Sequence, residues 1–260
     1  MHFPYELYET LAEPLTVYYP TGEEARARWV FQTIDKAAGL LTQLLNQPMP
    51  EIEILLVTMA DWPLAPRNED EELSNPQPYW TDASSPPCIV IPAEIDAIFG
   101  EFTQEKFAYM LCHELILAFL ESDSRPWPND YPLWADEWQL KFAALWLYQH
   151  LYSRQDIVNK DLREQNAEIF EPEPDGKTPV TIRGFDWYED TAAEDYLAYE
   201  LLLEQFAADL LATYEPQVLP RFLDLYRVER DVLLSDDVTA MLASALGPGG
   251  AEWLEELVYF

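Results

Sequence analysis

The chain has few of the residues that mark several common protein classes. Its two cysteines, Cys88 and Cys112, are too few for a disulfide framework, and both lie in apolar runs where we expect buried thiols. Only eight glycines occur in 260 residues, with no glycine-rich phosphate loop and no G-x-S-x-G turn. The three histidines are too scattered for a catalytic triad. The sequence therefore argues against a disulfide scaffold, a phosphate-loop enzyme and a serine hydrolase.

Long apolar runs are also missing. No segment approaches the roughly 20 apolar residues that a membrane-spanning helix needs. The first residues, MHFPYELYETLAEPL, contain neither a basic region nor the apolar stretch of a signal peptide. We therefore expect a cytoplasmic protein without a membrane partner.

Basic residues are scarce, since 15 Lys and Arg stand against 48 Asp and Glu, for a formal net charge of −33. Such a surface repels nucleic acid and anionic membranes, and we expect neither as a partner. The acids are dispersed rather than gathered in one tail, which favours a role in solubility. A basic peptide or protein partner is the more specific interpretation of the same charge.

The hydrophobic content of 49% is enough for a sizeable core, and its periodicity predicts the order of the elements. The predicted strands and helices, with approximate bounds, are strands 15–19, 51–58 and 88–92 and helices 21–46, 103–121, 131–152, 191–213, 216–228, 235–246 and 250–258. This order predicts an α+β fold, with a small N-terminal mixed sheet and helices followed by an all-helical C-terminal half. We place the domain boundary between 1–122 and 123–260.

The stretch LCHELILAFL, residues 111–120, carries the clearest chemical pattern. His113 and Glu114 lie within a predicted helix that Thr103 is expected to cap, and Leu117 stands four residues after His113. The segment PLWADEW follows at 132–138 and places Glu137 on the next predicted helix.

In the order of its elements and in these residues, the chain resembles the gluzincin metallopeptidases, the thermolysin- and aminopeptidase-like family that carries H-E-x-x-H and a later Glu. The resemblance implies a zincin-like fold in which His113 is the first zinc ligand, Glu114 the general base and Glu137 the third ligand. It also implies a Tyr that steadies the reaction intermediate, for which Tyr188, Tyr196 and Tyr199 are candidates and Tyr196 is our choice.

The motif departs from the family where Leu117 replaces the second histidine ligand. Leucine has no lone pair, so His113 and Glu137 leave two protein ligands where a catalytic zinc site has three. The other candidates in the sequence are not convincing replacements: His2, Glu121, Asp136 and His150. A distant acid from the long loops is the alternative that stays open. A further departure is Trp138, which stands where the family commonly has Gly.

We therefore expect a catalytically inactive zincin-like protein, a pseudoenzyme that binds no cofactor and serves as a peptide- or protein-binding scaffold. In this hypothesis an extended or basic peptide binds along an exposed edge strand, 88–92. One alternative is an active zinc-dependent hydrolase with a non-standard ligand. Another is an acidic α+β interaction domain unrelated to zincins. The sequence leaves the oligomeric state open.

Overall fold

The computed structural model describes residues 3–12, 14–68, 76–95, 101–174, 176–187, 191–228 and 230–260. The chain divides into two compact units, Met1–Ser122 and Asp123–Phe260. Within the described ranges, no helix combines the length and the apolar character that crossing a bilayer requires.

The first unit is built on a mixed sheet that has five strands in the described part of the chain. The strands are β1 (Glu9–Leu11), β2 (Thr16–Tyr19), β3 (Glu53–Val57), β4 (Tyr79–Thr81) and β5 (Cys88–Pro92). Their spatial order is β1-β2-β3-β5-β4. The central pairs β2–β3 and β3–β5 are parallel, whereas β1 and β4 pair antiparallel at the two edges. The small mixed sheet that the sequence predicts is thus confirmed.

The centre of this sheet is buried on both faces, which explains why β3 and β5 read as nearly continuous apolar runs. Successive residues of a strand point to opposite faces. One face packs against a cluster that includes Phe3, Trp62 and Ala65; the strand residues in that cluster are Leu55, Val57, Cys88 and Val90. The residues that alternate with them are fully buried as well: Ile54, Leu56, Ile89 and Ile91.

Two long helices complete the first unit, α1 (Glu24–Leu45) and α2 (Gln104–Ser122). They pack against each other, while α1 also contacts β2 and α2 contacts β4. Helix α1 ends at Asn46 in the left-handed conformation, a common way to stop a helix. Thr103 accepts a hydrogen bond from the Lys106 amide at its Oγ1 (3.2 Å), so the predicted cap of α2 is confirmed.

The second unit is helical, as the sequence predicts. Its helices are α3 (Trp134–Tyr152), α4 (Lys160–Gln165), α5 (Ala193–Thr213), α6 (Val218–Tyr226), α7 (Ser235–Leu246) and α8 (Gly250–Glu256). The longest, α3 and α5, pack against each other, and α7 packs against both α6 and α8. Trp138 lies at the centre of this core, with its ring edge-on to Phe222 at 4.8 Å between centroids. The α+β class with a helical C-terminal half is therefore confirmed.

Candidate functional site

Helix α2 places His113, Glu114 and Leu117 along its least buried side. All three are half-buried, whereas the neighbouring Leu115 and Ile116 are fully buried. Residues four apart lie on one face of a helix, so Leu117 sits one turn from His113 on the same partly open face. Leu117 thus occupies a position on this face that a second ligand would need, and it supplies no donor atom there.

The Glu114 carboxylate is held on both of its oxygens. Oε1 lies 3.0 Å from His113 Nδ1, and Oε2 accepts a hydrogen bond of 2.8 Å from the backbone N–H of Trp80. When a carboxylate is the acceptor, such a contact needs the histidine tautomer with its proton on Nδ1. The Glu114 side chain is 13% exposed, which limits the competition from water.

Trp80 belongs to β4, and its contact with Glu114 shows how this strand is held. Each residue has one backbone N–H, so the amide that points at Glu114 lies on the side of β4 away from β5. On the other side, Tyr79 and Thr81 are opposite Val90 and Cys88 in the antiparallel register. Glu114 therefore satisfies a backbone donor at the outer edge of the sheet, which stabilises a strand of three residues.

The position of β4 corrects one prediction. We expected strand 88–92 to be an exposed edge available to a peptide. It is β5, which is buried throughout and lies between β3 and β4. The edge is instead formed by β4, which lies between the predicted strands 51–58 and 88–92 in the chain. That prediction fails because a three-residue strand is too short to show a period of its own.

In the second unit, Glu137 lies on α3 beside the tyrosines of α5. Burial, followed by the charge of Glu200, raises the pKa of Tyr196 to about 12, and Glu137 adds to this effect. Burial and then Glu137 raise the pKa of Tyr199. Both hydroxyls are therefore protonated at neutral pH and can donate hydrogen bonds. Tyr188, the third candidate, lies outside the described residues.

The Tyr199 hydroxyl is buried and has no hydrogen-bond partner among the described residues, although its ring stacks on Phe185 at 4.1 Å. Close to it, Lys141 of α3 and Glu200 of α5 form an ion pair of 2.6 Å. This pair was not predicted from the sequence, because its members are 59 residues apart. A usable signal was present, because Lys141 is one turn after Glu137 and Glu200 one turn after Tyr196.

A second buried acid of α5, Glu204, was also missed. It is 2% exposed, and its carboxylate accepts hydrogen bonds from the backbone N–H groups of Val158 and Asn159 and from the Asn159 side chain. These groups directly precede α4. Glu204 thus anchors the start of a short helix and leaves no free oxygen for chemistry.

Asp136, next to Glu137, points towards a different neighbour. Its Oδ1 accepts a hydrogen bond of 2.9 Å from the Tyr226 hydroxyl of α6. Burial raises the pKa of Asp136 to about 6, and the hydrogen bonds from Tyr131 and Tyr226 oppose this rise. Asp136 therefore ties α3 to α6.

Among the described residues of the first unit, the side chains around His113 do not supply the ligands of a gluzincin zinc centre. Leu117 has no lone pair, and both oxygens of Glu114 are engaged by His113 and Trp80. Across the part of the chain that the structure describes, no group of three or more His, Cys, Asp or Glu side chains is arranged to hold a metal ion. His150 Nδ1 lies 2.8 Å from the Trp146 carbonyl oxygen of the same helix.

Comparison with known proteins gives no further guide to this site. No family model matches the chain, and no curated protein matches it.

Proposed function

We propose that this chain is a non-catalytic, zincin-like protein that acts as a scaffold for a basic peptide or protein partner. In this proposal the His113–Glu114 pair has a structural task, which is to hold the edge strand β4 against α2. The observation that carries the proposal is the double engagement of the Glu114 carboxylate, by His113 Nδ1 at 3.0 Å and by the Trp80 amide at 2.8 Å.

A general base needs a lone pair that faces the proton it removes. In Glu114 one oxygen faces a histidine of the same helix and the other faces a backbone amide of β4. Removing a proton from water would require Glu114 to release one of these contacts, and the strand edge would lose its hydrogen bond. The geometry thus favours a structural role over proton transfer.

The basic character of the proposed partner rests on the charge of the chain. With a net charge of −33, electrostatic attraction draws basic segments and repels acidic ones. Addition of a peptide strand at β4 is disfavoured at Trp80, because its amide is already bound by Glu114. We therefore propose recognition through side-chain charge, which added salt should weaken.

Zinc content and peptide hydrolysis test the absence of catalysis. We expect the parent protein, after dialysis without chelator, to contain far less than stoichiometric zinc and to leave a peptide library uncleaved. The matched variant is His113→Ala. Stoichiometric zinc that disappears in this variant, together with cleavage, would favour the alternative of an active hydrolase.

Binding of a basic partner needs a separate test. We expect some members of a library of basic peptides with equal charge and different sequence to bind more tightly than others. Equal binding by all members would show general charge attraction only, and a specific scaffold role would then be wrong.

A further inference from the structure

A cavity of about 450 Å³, open to solvent over much of its extent, lies in the first unit, and neither His113 nor Glu114 lines it. Its lining residues come from α1, from the chain after β5 and from the start of α2: Arg26, Trp29, Ala93, Ile95, Phe102, Gln104 and Phe107. The volume falls within the range of small-molecule sites, about 300–1,000 Å³. It sits beyond the carboxyl end of β5, where sheets with parallel strands commonly bind ligands.

Arg26 supplies the charge of this cavity. Its Nη1 donates to the Ala93 carbonyl and its Nη2 to the Pro92 carbonyl at 3.2 Å, so the guanidinium is fixed in place. Among the described residues, no carboxylate forms an ion pair with it. This is notable in a chain with 48 acids and 15 basic residues. Burial lowers the pKa of Arg26, an effect that Glu23 opposes, but a guanidinium remains charged at neutral pH.

The starts of two long helices add positive potential at the same place. Arg26 lies in the first turn of α1, and Gln104 is the first residue of α2. The N-terminus of a helix carries a partial positive charge and unsatisfied N–H groups, both of which favour an anion. None of the described residues that line the cavity is acidic. The cavity therefore favours a negative group, although the chain as a whole is acidic.

The remaining walls are flat and apolar. Trp29 stacks on Phe107 with 5.1 Å between ring centroids, and Phe102 lies 5.9 Å from the same ring. Arg26 itself is 5.1 Å from the centre of the Phe107 ring. Phe102 is 36% exposed, so part of its ring is accessible to a ligand. Such walls suit a planar ring better than a small inorganic anion.

We propose that this cavity binds a small aromatic carboxylate, with its ring against the aromatic wall of Trp29, Phe102 and Phe107 and its carboxylate against Arg26. The negative charge of the ligand follows from two features. The Arg26 guanidinium forms no ion pair with a described carboxylate, and two helices begin at the cavity. Its aromatic body follows from Trp29, Phe102 and Phe107. This site does not include the His113–Glu114 pair, so its test does not depend on the outcome for the proposed function.

Calorimetric titration with 2-naphthoate tests the proposal, and the neutral 2-naphthylmethanol is the matched ligand. We expect the parent to bind the carboxylate at least about tenfold more tightly than the alcohol, since a hydrogen bond to a charged group is lost with the alcohol. No binding of 2-naphthoate, or equal binding of both ligands, would overturn the proposal.

Variants locate the site. Arg26→Gln should remove the preference for the carboxylate over the alcohol, and Arg26→Lys should keep part of it. Phe102→Ala should lower the affinity for both ligands. The control is Arg28→Gln on the same helix, where Arg28 pairs with Glu24 on the surface. Should Arg26→Gln fail to fold, Phe102→Ala and Arg26→Lys still decide the question. Unchanged binding in Phe102→Ala, or an equal loss in Arg28→Gln, contradicts the proposed location.

Discussion

The backbone N–H of Trp80 donates a hydrogen bond of 2.8 Å to Glu114 Oε2, although the two residues are 34 positions apart in the chain. This contact joins the outer edge of a three-residue strand to the middle of a long helix. A backbone donor in a partly buried place is costly to leave without a partner. The residue that the gluzincin resemblance assigns to catalysis is thus placed where it stabilises the fold.

A first prediction follows for Glu114. We expect Glu114→Ala to lower the free energy of unfolding by about 2 kcal/mol, because the Trp80 amide loses its acceptor. Glu114→Gln should cost much less, since its side-chain oxygen can still accept that hydrogen bond. Urea unfolding of both variants measures the difference. The control is Glu121→Ala, an exposed acid on the same helix. Equal losses in all three variants would contradict the structural role of Glu114.

A second prediction concerns the position of Leu117. We expect Leu117→His to gain thermal stability on addition of zinc, because two imidazoles one turn apart on a helix can share a metal ion. The melting temperature of the parent should not change with zinc. That of the variant should rise with the zinc concentration, because zinc binds the folded state. The double variant Leu117→His with His113→Ala is the control. If zinc stabilises that double variant equally, the metal binds elsewhere and His113 and Leu117 do not form a common site.

The third prediction compares two ion pairs. Lys141 and Glu200 are 11% and 22% exposed, whereas Arg28 and Glu24 are 59% and 55% exposed. Water screens the exposed pair far more strongly. In double-mutant cycles we expect a coupling energy of about 2 kcal/mol for Lys141–Glu200 and about 0.5 kcal/mol or less for Arg28–Glu24. Similar coupling energies for both pairs would show that the partly buried pair adds no more than a surface contact.

A fourth prediction is a pH dependence that arises from Glu204. Burial raises the pKa of this carboxyl above its ordinary value of 4.5. The folded state then keeps the proton at pH values where the unfolded chain has released it, so the contribution of Glu204 to stability falls as the pH rises above about 4.5. Relative to the parent, Glu204→Gln should therefore gain stability as the pH rises from about 4.5 towards neutrality.

Urea unfolding at several pH values measures this difference. The control is Glu215→Gln, which removes an exposed acid of the same unit. The prediction is wrong if the difference between Glu204→Gln and the parent stays constant over that range, or if Glu215→Gln gives the same slope.

Much of the fold could be predicted from the sequence because its main elements are long and periodic. The helix at 235–246 has the bounds of α7, and strand 88–92 has those of β5. The strands β1 and β4 could not be predicted in the same way. Each has three residues, too few for a pattern, and each exists because a longer strand beside it supplies hydrogen-bond partners.

The candidate site was predictable only in part, for a related reason. The spacing of His113, Glu114 and Leu117 along one helix can be read directly, because helical geometry fixes which residues share a face. The contacts that decide what Glu114 does come from Trp80, and no local rule connects the two. The ion pair of Lys141 and Glu200 is a long-range contact of the same kind.

The order of the sheet also has a consequence for how the first unit assembles. Strand β4 precedes β5 in the chain, yet in space it lies outside β5, which pairs with β3. Strand β4 pairs with β5 alone over three residues, and Glu114 of α2 binds its outer edge at Trp80, so fewer contacts fix β4 than fix β3 or β5. We therefore expect β4 to join the sheet after β3 and β5 and to leave it before them. In native-state hydrogen exchange, the amide of Trp80 should open without global unfolding, while the amides of β3 should exchange only when the whole unit unfolds.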